Sequence, residues 1–311
     1  MLHIETGQTV GGYQVTGFLG RGAFALVFAA EDPQGCRVAL KVGDESGGGR
    51  FLPRFAEVTA ERDPERISPD ETPAEALFLD PSAGARAEVL DLREVDALLL
   101  AEAAMLEAAV GETVIGFQGI LDFGGRPALI LDLLSGATLR ERMRSLEGVK
   151  LRWILEVIQT VERQIEEGIW TCHGDIKPEN LIITDDDQVR LIDPAPSSGR
   201  ADLILATPHY NPFLKRGAKG DAQAIAILLY ELLCTSLPFS QVPWEFAGMD
   251  LGKATVEDWE LSRSYFLSYP RPRDVNPRTP RELERAIYSA LCDESYGLGE
   301  LRRDLEDFLL A

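Results

Sequence analysis

The chain has 311 residues, 45% hydrophobic and 26% charged, the proportions of a soluble globular protein long enough to bury a sizeable core. A formal net charge of -20 argues against a nucleic-acid-binding surface or an anionic membrane partner and favours the approach of basic partners. Cys36, Cys172, Cys234 and Cys292 lie too far apart for a zinc knuckle or a disulfide framework, the Met1–Thr6 start shows no signal sequence, and no apolar run approaches the ~18 residues of a membrane span, which together predict a cytoplasmic chain.

Residues 12–42 read as three strands. Alternation over 13–19 leads into Gly20-Arg21-Gly22-Ala23-Phe24, then an apolar run over 25–30. A turn at Asp32-Pro33-Gln34-Gly35 precedes Arg37-Val38-Ala39-Leu40-Lys41-Val42. Residues 43–90 break the pattern with Gly47-Gly48-Gly49, scattered prolines and an excess of acids. We expect an insertion there, with short helices at 55–62 and 73–79. Over 91–110 the spacing predicts a helix in which Leu92, Val95, Leu98, Leu99, Met105, Leu106 and Ala109 share an apolar face. Glu102 stands within an otherwise nonpolar turn of it, with Glu94 and Glu107 as weaker candidates for the same role. Two more strands are expected over 114–123 and 127–134, after which residues 135–139 leave the sheet and enter a helix. Ile154, Ile158, Val161, Ile165 and Ile169 mark an amphipathic helix over 151–169.

The densest chemistry lies in Cys172-His173-Gly174-Asp175-Ile176-Lys177-Pro178-Glu179-Asn180, followed by a short apolar strand. Asp175 can accept a hydroxyl proton, Lys177 can lie along a transferring phosphoryl group, and Asn180 can ligate a metal. A second short strand ends in Asp193, and a polar turn at Asp185-Asp186-Asp187 would return that acid beside Asn180. Further on, Asp221 fits an N-cap before an apolar helix over 222–233. Later helices are expected at 256–267, 280–291 and 299–310.

The H-x-D-x-K-x-x-N spacing with a following strand-tip acid resembles the catalytic loop and metal-binding acid of the Hanks-type serine/threonine protein kinases. Gly20 and Gly22 with Val27 resemble the glycine-rich loop, and Val-Ala-Leu-Lys at 38–41 resembles the strand bearing the ATP-anchoring lysine. The resemblance implies an α+β, two-lobed fold: a small lobe of five antiparallel strands and one main helix (1–134, with 43–90 inserted), and a larger helical lobe (135–311). It implies ATP and Mg2+ as cofactors and a protein substrate, transferring phosphate to Ser or Thr. Asp175 would be the base and Lys177 its cationic partner, with Asn180 and Asp193 on the metal. Lys41 would pair with Glu102. Gly20, Gly22, Val27, Ala39, Lys41, Glu102, Asp132, Leu134 and Ile182 would bind the nucleotide, with Leu131 as gatekeeper and 132–134 as hinge. Asp221 matches the position that braces the catalytic-loop backbone, and residues 207–210 match the substrate-binding turn.

Several positions depart from the family. Gly174 replaces the arginine of H-R-D, Asp193-Pro194-Ala195 replaces D-F-G, and Asn211-Pro212-Phe213 lacks the glutamate of A-P-E, with no evident arginine partner at 293–298. Arg200 is the one base between Asp193 and Tyr210, so activity is not expected to require phosphorylation of Ser197, Ser198 or Thr207. These departures leave two alternatives, a nucleotide-binding pseudokinase and a small-molecule kinase.

Overall fold

The computed structural model describes residues 4–22, 24–44, 52–54, 86–88, 91–145, 148–196, 207, 209–211, 215–238 and 270–311. One sheet dominates the first part. It contains Thr9–Val10 (β1), Tyr13–Arg21 (β2), Ala25–Glu31 (β3), Arg37–Gly43 (β4), Phe117–Phe123 (β7) and Arg126–Asp132 (β8), ordered β1-β2-β3-β4-β8-β7 with antiparallel neighbours. A separate ribbon pairs Leu52–Arg54 (β5) with Arg86–Glu88 (β6). The five expected strands are β2, β3, β4, β8 and β7. The sixth, β1, forms because Gly11 and Gly12 take φ +53 and +93, the conformation a two-residue hairpin turn requires.

Strand β4 shows how the sheet divides two cores. Val38, Leu40 and Val42 are buried on one face with Phe28, Ala30 and Ile130, while Ala39 is buried on the other among Val95, Leu98 and Leu99. The last three belong to helix α1, Leu92–Ala108, whose first turn is closed by a capping box between Asp91 and Glu94. The bidentate pair of Arg126 on β8 with Asp96 (Nη2 to Oδ1 2.7 Å) also ties α1 to the sheet.

The second lobe packs α3 (Leu151–Glu166), α4 (Gly217–Cys234), α6 (Arg281–Cys292) and α7 (Leu298–Leu310) together, with short helices α2 (Leu139–Ser145) and α5 (Pro272–Val275) at its margins. Helix α4 is apolar on nearly every side and is correspondingly buried from Gly220 to Tyr230. One hydrophobic cluster runs from α1 through Trp153, Ile154 and Ile158 of α3 into Ile225 and Leu228 of α4. The expected helices at 280–291 and 299–310 are α6 and α7; those at 55–62, 73–79 and 256–267 lie outside the described residues.

Residues 135–139 leave the six-stranded sheet and enter α2 as expected, and on the way Gly136–Thr138 (β9) pairs with Leu181–Thr184 (β10), which pairs with Val189–Leu191 (β11). Gly136 allows this, because a Cβ there would meet the Ile183 carbonyl oxygen at 2.2 Å. One local expectation needs correction: Asp221 is not an N-cap, since α4 starts a turn earlier, at Gly217, and Asp221 lies within the helix. The 293–298 segment holds no arginine, as expected, and is tied down differently: Lys215 donates to the exposed Glu294 at 2.7 Å, and Lys219 donates to the carbonyls of Asp293 and Tyr296 at 2.5 and 2.8 Å.

Candidate active site

The cross-strand register lines up the first group of candidate residues. Gly20 pairs with Val27, Val27 with Lys41 and Lys41 with Leu129, so the lysine emerges mid-sheet on the α1 face. Lys41 is 5% exposed, and its ammonium donates to both oxygens of Glu102 (2.7 and 2.8 Å) and to Asp193 Oδ1 (2.9 Å). Burial opposes the charge on Lys41, but the carboxylates of Asp193 and Glu102 outweigh it and raise its pKa. Burial likewise pushes Glu102 upward against the pull of Lys41. Of the rival acids, Glu94 is spent in the capping box and Glu107 is exposed. The Phe24 ring covers the same ammonium, with Nζ 5.8 Å from its centroid.

The second group sits on the loop before β10. Asp221, 1% exposed, accepts the backbone N–H groups of His173 (2.7 Å) and Gly174 (2.8 Å) and so holds the loop onto α4. Burial nevertheless pushes its carboxyl up to about 7. His173 is fully buried; with the proton on Nε2 it donates to the Ile192 carbonyl at 3.1 Å and accepts the Asp175 N–H at 3.3 Å on Nδ1. Burial pushes this imidazole down to about 4. Asp175 is held from both sides. Oδ2 accepts from Lys177 Nζ (2.6 Å) and Asn180 Nδ2 (3.2 Å), and Oδ1 accepts the N–H and hydroxyl of Thr207 (2.8 and 2.7 Å). Lys177 also donates to Thr207 Oγ1 at 2.7 Å.

Asp193 joins the two groups. The Ile192 N–H reaches the Asn180 carbonyl at 3.0 Å, which brings the end of β11 beside the loop, and the Ala195 N–H reaches the His173 carbonyl at 2.7 Å. Asp193 itself has φ +56 and precedes Pro194, an unfavourable combination that the surrounding bonds must hold. Lys41 keeps its carboxyl below the usual value although burial works against it. Gly174 has φ +85, and a Cβ there would come within 3.0 Å of the Ala195 Cβ.

On the hinge side, Leu131 and Ala39 are paired and buried, while Val27 and Leu134 are partly buried against the same cluster. Ile182 is half-buried on β10. The Asp132 N–H is taken by the Gly116 carbonyl (2.9 Å), and its carboxylate accepts from Gln118 (2.8 Å), so the side chain turns toward β7. The sequence reading missed three participants. Arg140 on α2 bonds Glu179 of the loop (2.7 Å), Glu231 of α4 (2.5 Å) and the Tyr210 hydroxyl. Gln164 and Trp170 bond the end of α1. Gln164 left a signal: it is a polar residue three after Val161 on the apolar stripe of α3.

No family model matches the chain. It is 22% identical over 198 residues to a probable serine/threonine-protein kinase PknB of Lactococcus lactis, covering 58% of this chain and 29% of that protein. It is 30% identical over 131 residues to the serine/threonine-protein kinase PknL of Mycobacterium tuberculosis, covering 38% of this chain and 33% of that one. Among solved structures, the apo form of PpkA-294 superposes over 97% of this chain and 99% of its own with TM-score 0.64 at 17% identity. The chain has the two-lobed protein-kinase fold and is similar in sequence to serine/threonine protein kinases. It spans about a third of the length of the two curated relatives. Protein kinases use ATP and usually Mg2+. Among its described residues no helix is long and apolar enough to cross a membrane.

Proposed function

We propose that this kinase transfers the γ-phosphoryl group of ATP to serine or threonine hydroxyls of a protein. One observation carries the choice of acceptor: Asp175 and Lys177 jointly hold the Thr207 hydroxyl, the first accepting its proton and the second donating to its oxygen, both at 2.7 Å. An acceptor hydroxyl entering this site would meet the same two groups, a carboxylate for the proton and an ammonium for charge on the oxygen.

In this reading Lys41, oriented by Glu102, contacts the α- and β-phosphates under Gly20 and Gly22. Val27, Ala39, Leu134 and Ile182 line the adenine side, and the backbone at Asp132 and Leu134 hydrogen-bonds the base. Asn180 and Asp193 suit Mg2+: both supply hard oxygen donors, and the Asn180 amide nitrogen is already spent on the Asp175 carbonyl (2.9 Å), leaving its oxygen for the ion. The ion, when bound, neutralises phosphate charge. Asp175 orients the acceptor hydroxyl and takes its proton as that oxygen bonds to the γ-phosphorus. The bond to the β–γ bridging oxygen breaks and ADP leaves. Lys177 offsets charge on the oxygens in transfer.

The test is Asp175→Ala, assayed by phosphate transfer from radiolabelled ATP to the kinase itself and to a generic protein substrate. Transfer should fall by roughly 10²–10⁴ while nucleotide affinity holds, the usual consequence of losing a general base. Equal transfer by mutant and parent would show that Asp175 is not the base.

A further inference from the structure

Gln164, on α3, is fully buried although it is an amide on an apolar helix face. Its two polar groups close on a single residue beyond the end of α1: Nε2 donates to the Val110 carbonyl at 2.7 Å and Oε1 accepts the Val110 N–H at 3.1 Å. Its own carbonyl accepts the N–H of Trp170 at 3.1 Å, and the Trp170 indole N–H donates back to the Met105 carbonyl of α1 at 3.1 Å. The ring of bonds is therefore closed: Gln164 to Val110, along α1 to Met105, to Trp170 and back.

Each side of this ring leads to one acid of the Lys41 cluster. Met105 lies one helical turn from Glu102 on α1. Past Val110, the Ile115 N–H donates to the Leu191 carbonyl (3.0 Å) and the Leu191 N–H to the Thr113 carbonyl (2.7 Å), so this segment is stitched to β11 two residues before Asp193. The segment also borders a groove of ≈ 340 Å³ lined from Leu106 to Gly119. Trp170 also stacks edge-on against His173, with centroids 5.9 Å apart.

We propose that Gln164, together with Trp170, is a positioning residue that joins the end of α1 to β11 and so keeps Glu102 and Asp193 together on Lys41. It touches neither nucleotide nor acceptor. Its effect passes through the orientation of Lys41 toward the phosphates, and the inference rests on the nucleotide reading given above. Removing the amide deprives the part-buried N–H and C=O of Val110 of these partners, which favours local opening of this joint over retention of its geometry.

The readout is the ratio of affinities for magnesium-ADP and adenosine, because adenosine lacks the phosphates that Lys41 contacts. In Gln164→Leu, ADP binding should weaken about tenfold, near 1.4 kcal/mol, while adenosine binding stays within about twofold of the parent. In a Glu102→Gln background the same substitution should add nothing to the ADP loss, since the group it orients is already compromised. Equal weakening of both ligands, no weakening of either, or an undiminished ADP loss in the Glu102→Gln background would overturn the proposal. Should Gln164→Leu fail to fold, Trp170→Phe, which keeps an aromatic ring there but removes the indole N–H with the rest of the pyrrole ring, decides by the same criteria. Should the parent bind neither ligand, the nucleotide reading falls, and hydrogen exchange decides the positioning role. Faster exchange in 102–116 and 189–193 alone, in whichever of the two variants folds, would sustain it; unchanged exchange there would overturn it.

Discussion

At Gly174 one backbone angle explains a missing side chain. The residue has φ +85 and abuts Ala195, so any Cβ is strained and crowded there. Restoring the family residue by Gly174→Arg should therefore cost about 1–2 kcal/mol of stability, read by denaturant unfolding, rather than add a control point. The neighbouring His173 predicts a pH dependence. Burial pushes its folded-state pKa down to about 4 from 6.5, so it binds fewer protons when folded than when unfolded between those values. Its stability contribution is complete above pH 6.5 and is lost as pH falls through about 4, amounting to at most about 3 kcal/mol. Asp221 has the opposite slope, because burial raises its pKa to about 7 and its contribution is lost as pH rises toward that value. The His173 effect is therefore read as a difference: unfolding free energies of the parent and of His173→Gln, measured from pH 4 to 7, should converge toward the acid end.

Among the elements, the β5–β6 ribbon changes how the inserted segment should be approached. Leu52 pairs with Glu88 and Arg54 with Arg86, so residues 55–85 begin and end at adjacent points of one antiparallel ribbon. Replacing 55–85 by a two-residue Asn-Gly turn should preserve that ribbon, the fold and nucleotide affinity. Cutting at Gly47 instead would remove a strand. Circular dichroism and ADP titration of the spliced chain check this, and failure to fold would mean that 55–85 packs as part of the lobe. Helix α4 illustrates a second point. Because it begins at Gly217, Asp221 falls on its buried side and reaches the backbone of His173 and Gly174 instead of capping.

For the molecule as a whole, helix α1 is held by bonds internal to the described residues. Asp96 pairs with Arg126, Glu102 with Lys41, Met105 with Trp170 and Val110 with Gln164. None of these involves a phosphorylated side chain, and Gly174 offers no cation to one. Initial rates on a single peptide should thus be unchanged by phosphatase treatment or by Ser197→Ala with Ser198→Ala. A large loss of rate with unaltered ATP affinity in either preparation would establish a phosphoswitch in that segment, which lies outside the described residues.

Sequence alone determined what depends on local spacing. The polar positions of the 173–180 loop, the strand alternation around Lys41 and the apolar stripes of α1 and α3 all repeat within one element, where backbone geometry dictates which side chains share a face. Helix starts were less legible, because Gly217 and Gly220 look like breakers, and only the fold shows that a Cβ at Gly220 would strike the Lys215 carbonyl oxygen. Tertiary structure decided whatever couples distant residues. Lys41 and Asp193 meet across 152 positions, Gln164 and Val110 across 54, and Thr207 and Asp175 across 32. Among the acids of α1, the nonpolar turn already singles out Glu102 over Glu94 and Glu107, and the docking of α1 on β4 buries Glu102 and leaves Glu107 exposed. What no spacing within the helix contains is the 2.7 Å distance from Glu102 to Lys41, which the packing of the two surfaces sets.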